Sequence, residues 1–117
     1  MMPDLKLLKR RLERIQNDFL KQYNIQMKAI IDIKSNESID DLREDYRIIK
    51  EGLDFIKMEV DWLNMAHAAL QIAKTDPAQQ WSANDIEKDV NDMMKEVVET
   101  YDLLKRVSKQ LDKRIYF

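Results

Sequence analysis

The sequence contains no cysteine, one glycine and two prolines among its 117 residues. An average domain of this length carries roughly 8 glycines and 6 prolines. Because glycine supplies positive φ and proline supplies fixed turns, a chain this poor in both makes few tight turns. The composition therefore argues against folds built from many short strands and against glycine-rich phosphate-binding loops.

The lack of cysteine excludes a disulfide framework, a thiolate metal site and a cysteine nucleophile. No run of about 18 apolar residues occurs, so the sequence predicts no membrane span. Basic residues interrupt the segment 1–14, which lacks the apolar core of a signal peptide. Together these features lead us to expect a cytoplasmic protein.

What the sequence does contain is typical of long amphipathic helices, with 44% hydrophobic and 36% charged residues. Apolar residues recur at spacings of three and four over three segments, which predicts helices at about 3–34, 38–74 and 82–116. The fold class is therefore all-α. Short breaks between helices of matched length favour one domain over 1–117, an elongated up-down-up bundle with coiled-coil-like packing.

One segment of the first helix is ambiguous, because apolar residues alternate by two between Tyr23 and Lys34. That spacing also fits a half-buried strand. No second strand candidate is present to pair with it, so continued helix is the preferred prediction. A strand paired with another chain is the alternative.

Sequence signals also mark where the helices begin. Pro3 suits a first helical turn. Ser38 and Ser82 each precede an Asp by three residues, which is a variant of the capping box. Trp81 before the second of these caps and Ile86 after it are spaced to form a hydrophobic staple.

The second predicted helix carries two apolar rows. If Ile39 is heptad position a, one row follows positions a and d from Ile39 to Leu70. The other row follows positions c and f from Ile48 to Ile72. At about 103° per residue the rows lie about 155° apart, so we expect this helix to be apolar on nearly opposite sides.

The second row has two interpretations. It either completes the core within one chain, or it meets a partner protein. Large aromatic residues and methionine are enriched at the centres of interfaces, and methionine adapts to varied partners. The candidate protein interface consists of Phe55, Met58, Trp62, Met65 and Ile72.

The net charge of −2 is distributed unevenly. Residues 1–14 carry five basic and two acidic side chains, and acids concentrate at the starts of the second and third helices. In an up-down-up bundle, the basic start of helix one lies beside the acidic start of helix three, which predicts a solvated face balanced within the chain. The alternative is contact with nucleic-acid phosphates or another anion by Lys6, Lys9, Arg10, Arg11 and Arg14.

Residues that could support catalysis are scarce. His67 is the single histidine, and it falls at an a position. We interpret His67 as a polar residue that fixes the register of a packed seam. This role fits its position better than that of a metal ligand, a general base or a pH switch. Position 64 is Asn, so the Glu-x-x-His motif of di-iron bundles is absent. We therefore expect no enzyme activity, no cofactor and no metal.

The sequence thus predicts a non-enzymatic protein–protein interaction module: an adaptor, an assembly factor or an inhibitor that acts through an apolar helical face. The second helix carries two apolar rows, and the chain has two other helices to cover them. This arrangement favours self-association into a homo-oligomer. The alternative is an oligomeric protein that binds nucleic acid or nucleotide through its basic N- and C-terminal segments. We rank this alternative lower because the net charge is not basic.

Overall fold

A computed structural model describes residues 2–35 and 38–116 of the chain. Within these ranges the chain forms three α-helices and no strand: α1 (Leu5–Ser35), α2 (Ile39–Ala73) and α3 (Gln80–Tyr116). The helices pack into a bundle of 59 × 21 × 18 Å. The predicted all-α architecture of three long helices is confirmed, whereas Asn36 and Glu37 of the first predicted break lie outside the described residues.

The local chemistry of the helix starts differs from the sequence prediction. Pro3 precedes α1, and the Asp4 carboxylate caps the helix by accepting hydrogen bonds from the backbone N–H groups of Lys6 and Leu7 at 3.1 and 3.2 Å. Ser38 occupies the N-cap position of α2 in an extended conformation, but its side chain makes no capping hydrogen bond.

The predicted cap and staple of α3 are wrong. Helix α3 begins at Gln80, two residues earlier than expected, so Ser82 lies inside its first turn. The preceding turn is organised by Asp76, whose carboxylate accepts a hydrogen bond from the backbone N–H of Ala78 at 3.0 Å. Trp81 is 83% exposed and therefore does not form a staple with Ile86.

The ambiguous segment between Tyr23 and Lys34 is helical. Three of its residues, Gln26, Ala29 and Ile33, are buried, whereas Ile25 and Ile31 are exposed. The alternation by two therefore arises from apolar residues on the outer face of α1 and does not reflect a strand.

Helix α2 buries one broad face instead of two opposite ones, which corrects the two-row prediction. The d positions are almost completely inaccessible to solvent: Leu42, Ile49, Ile56, Leu63 and Leu70. The neighbouring g positions are buried as well: Asp45, Gly52, Glu59, Ala66 and Ala73. The buried face is centred between d and g, positions a and c flank it, and the f row faces solvent.

The two other helices lie on adjacent sides of this face. Helix α3 contacts the a, d and e side, where Lys74 forms an ion pair of 2.6 Å with Glu87 and Gln71 donates a hydrogen bond to the same carboxylate. Helix α1 contacts the c and g side, where Gln26 Nε2 donates to the Ile48 carbonyl at 3.0 Å. Helix α2 packs more extensively against α3 than against α1.

Helices α1 and α3 run in the same direction. Residues 16–23 of α1 face residues 89–103 of α3. Near the other end of both helices, Arg114 Nη1 donates a hydrogen bond to the Ile33 carbonyl at 3.2 Å. The predicted up-down-up order follows from these contacts.

Gly52 allows α1 and α2 to approach closely. A Cβ atom at this position would lie closer than 3.0 Å to the amide group of Gln26, a separation that real side chains do not adopt. Gln26 is itself only 1% exposed, so its amide has little room to move. The glycine therefore allows the Gln26 amide to lie against the α2 backbone and reach the Ile48 carbonyl.

We predict that Gly52→Ala destabilises the protein by about 1–3 kcal/mol, although alanine is the better helix former by about 1 kcal/mol. The added methyl displaces the Gln26 amide and breaks its hydrogen bond to Ile48. Urea unfolding of Gly52→Ala, Gln26→Ala and the double variant measures this effect. We expect the double variant to be at least about 1 kcal/mol more stable than additivity of the single changes. Simple additivity would show that the two residues do not compete for space.

Candidate interaction surfaces

The predicted interface residues divide into two groups in the structure. Phe55 and Trp62, at c positions, are half-buried and pack against the core. Met58, Met65 and Ile72, at successive f positions, are 71%, 70% and 53% exposed. These three residues form one row along α2, which we call the outer stripe. It lies on one uninterrupted helix of 35 residues.

The outer stripe continues onto the start of α1. Met65 and Trp62 line a shallow hollow of about 200 Å³ together with Leu7 and Arg11. Leu7 is itself 43% exposed. The apolar surface therefore crosses from α2 to α1 and has a basic side chain at its edge.

A larger groove of about 790 Å³ lies between α1 and α3. Buried Phe19 and Met93 lie at its floor, and Leu20 and Tyr23 are exposed along its α1 side. Its α3 side carries four exposed carboxylates: Asp89, Asp92, Glu96 and Glu99. We call these four residues the acidic row. The acids are visible in the sequence, but the groove is not predictable from it, because the groove depends on the separation of two helices.

Five basic residues near the N-terminus are all exposed, as both a solvated face and a phosphate-binding surface require: Lys6, Lys9, Arg10, Arg11 and Arg14. At about 100° per residue they cover roughly 200° of the α1 circumference, so they do not form a flat strip. Among residues 2–35 and 38–116 none of them pairs with an acid of α3. The ion pairing expected between the two helix starts is therefore not formed.

His67 is exposed, which corrects its interpretation as a register-fixing residue in a packed seam. Its a position lies at the edge of the buried face, where the seam opens to solvent. In the described part of the chain, no group of three or more His, Asp or Glu side chains is placed to hold a metal ion. The described helices also include none that is long and apolar enough to cross a membrane.

The interface between α1 and α2 contains a buried carboxyl group. Glu59 is 5% exposed, and neither of its side-chain oxygens has a hydrogen-bond partner. Burial, together with the negative charge of Asp18 on α1, raises the pKa of Glu59 to about 8. Near neutral pH the folded protein therefore holds this carboxyl group mostly protonated.

No family model, curated protein or solved structure matches the chain.

We predict that stability falls as pH rises from about 4.5 to about 8, because the unfolded chain ionises Glu59 in this range while the folded chain keeps it protonated. Glu59→Gln removes the ionisation. The variant should be about 1–3 kcal/mol more stable than the wild type at pH 8 and nearly equal to it at pH 4.5.

Chemical unfolding at several pH values tests this prediction. Asp61→Asn, on the exposed side of the same helix, is the control and should follow the wild-type pH profile. A stability difference between Glu59→Gln and wild type that stays constant across this pH range would contradict the raised pKa of Glu59.

Proposed function

We propose that the protein is a non-enzymatic protein–protein interaction module whose outer stripe docks on a protein partner. An adaptor, an assembly factor and an inhibitor all fit this description. The observation that supports the proposal is the outer stripe itself: Met58, Met65 and Ile72 are exposed in one row on one continuous helix. Two large half-buried side chains, Phe55 and Trp62, lie beside this row.

Contact through this surface suits the chemistry of its side chains. Met58 and Met65 are unbranched and polarisable, so they fill irregular gaps against a partner. Trp62 offers a large, flat area from which a partner can exclude water. Interface centres are enriched in these residue types and depleted in charge.

Self-association is the form of contact that we propose first. A straight helical row can pair with its own copy about a two-fold axis, which makes the two halves of the interface identical. The exposed apolar residues of one copy then cover those of the other. A cytoplasmic location accords with the lack of cysteine and belongs to the same proposal.

We predict that Met65→Asp raises the dimer dissociation constant at least about tenfold, because a charge is then buried in the centre of the outer stripe. Sedimentation velocity over a range of protein concentrations measures this constant. Helicity should be unchanged, since Met65 is exposed in the single chain.

The matched control is Ile31→Asp, which places the same charge at a 67% exposed apolar site on α1. It should associate as the wild type does. A wild-type chain that remains monomeric up to about 100 μM, or equal weakening by both variants, would refute self-association through the outer stripe.

A further inference from the structure

The groove between α1 and α3 combines an apolar floor with one acidic wall. All of its lining residues belong to these two parallel helices. Leu20, which is 59% exposed, and Tyr23 stand on its α1 side above buried Phe19. An exposed leucine beside a groove of about 790 Å³ leaves apolar area that a ligand can cover.

The acidic row has the spacing of one helix face. Asp89, Asp92, Glu96 and Glu99 follow one another at intervals of three, four and three residues, over about 15 Å of helix. Like charges at these spacings destabilise a helix by about 0.2–0.5 kcal/mol per pair. Lys88 and Lys95 of the same helix lie four residues before Asp92 and Glu99, so α3 itself offsets this repulsion only in part.

Within residues 2–35 and 38–116 no side chain forms an ion pair with the acidic row. The register of the bundle explains this, because the row lies opposite uncharged Gln16, Asn17, Leu20 and Tyr23. Lys21 belongs to the same stretch of α1 but does not line the groove.

We propose that this groove binds a basic amphipathic helix of a partner protein. The partner helix would lie between α1 and α3 as the fourth helix of a bundle. Its apolar residues would cover Leu20 and Tyr23, and its Lys or Arg residues would face the acidic row. This is the helix-in-groove mode of recognition, and the acidic row selects for a basic ligand.

This surface is separate from the outer stripe, so it goes beyond the function proposed above. An adaptor with both surfaces would associate with itself through α2 and recruit a basic helix through α1 and α3. The two proposals can fail independently, since they involve different side chains.

The test uses a labelled amphipathic peptide of leucine and lysine, about 14 residues long, which covers the acidic row. Fluorescence anisotropy measures its binding to the full chain. A peptide of the same composition in shuffled order, which has no apolar face, is the ligand control. We expect the amphipathic peptide to bind at least about tenfold more tightly than the shuffled one.

A charge-neutral variant of the groove tests the acidic row directly. It carries Asp89→Asn, Asp92→Asn, Glu96→Gln and Glu99→Gln. The matched control neutralises four exposed acids of α2 instead: Asp40→Asn, Asp41→Asn, Asp54→Asn and Asp61→Asn. We expect peptide binding to weaken at least about tenfold in the groove variant and less than about twofold in the control. Equal weakening would show attraction by net charge alone and would overturn the proposal.

The apolar side of the groove is tested by Leu20→Ala, with Ile31→Ala on the same helix as its control. Both residues are exposed, so neither change should unfold the bundle. Leu20→Ala should weaken peptide binding severalfold and Ile31→Ala should not. Met65→Asp should leave peptide binding unchanged, which separates this groove from the outer stripe.

A second copy of the chain is the other occupant that the experiment distinguishes. In that case the wild type would be a dimer that dissociates when the acidic row is neutralised, and the peptide would compete with dimer formation. This result, or the absence of any peptide binding, would overturn the assignment to a partner helix.

Discussion

Both large helix interfaces of the protein use one broad face of α2. Its d positions are apolar and pack on the side of α3, while its g positions lie on the side of α1. The direction of α1, the close contact at Gly52 and the exposure of the outer stripe all follow from the orientation of this face. If α2 were rotated about its own axis so that the f positions turned inward, Met58 and Met65 would be buried and part of the d row would be exposed.

The two sides of this face differ in chemistry. The contact with α3 includes buried leucine and isoleucine side chains of α2, whereas the contact with α1 includes Gln26 and Glu59 in buried positions. Buried polar groups stabilise less than apolar ones and add a cost wherever a partner is missing. We infer that α1 is held less strongly than α3. Helix α1 is also the helix that contributes to both the hollow beside Met65 and the acidic groove.

Apolar periodicity in the sequence was enough to predict the helix number, their bounds to within two residues and the d row, because burial of leucine and isoleucine dominates helix packing. It did not predict the g row, because Asp45 and Glu59 are residue types usually found at the surface and Gly52 has no side chain to add to an apolar pattern. Glycine is buried here for its small size, which a hydrophobicity pattern does not record. Pro3 and Ser82 were misread for a similar reason, since a cap depends on the geometry of one turn.

The candidate surfaces were predictable to different degrees. The c and f row pointed to Met58, Met65 and Ile72 because apolar residues that recur at a regular spacing are visible in the sequence. The groove was not predictable, since it depends on the separation of two parallel helices in the folded chain. Its acidic row was noted as charge at a helix start, but the register that places it opposite uncharged residues is a property of the folded chain.

We propose that a second copy of the protein covers the outer stripe, and the fluorescence of Trp62 can report this contact. Trp81 is 83% exposed, so a Trp81→Phe variant leaves Trp62 as the single tryptophan beside the stripe. Iodide quenching of Trp62 fluorescence across a range of protein concentrations measures directly how accessible this side chain is to solvent. If the copies associate through the outer stripe, quenching should decrease as the protein concentration rises. Quenching that is the same at every concentration, up to about 100 μM, would contradict it.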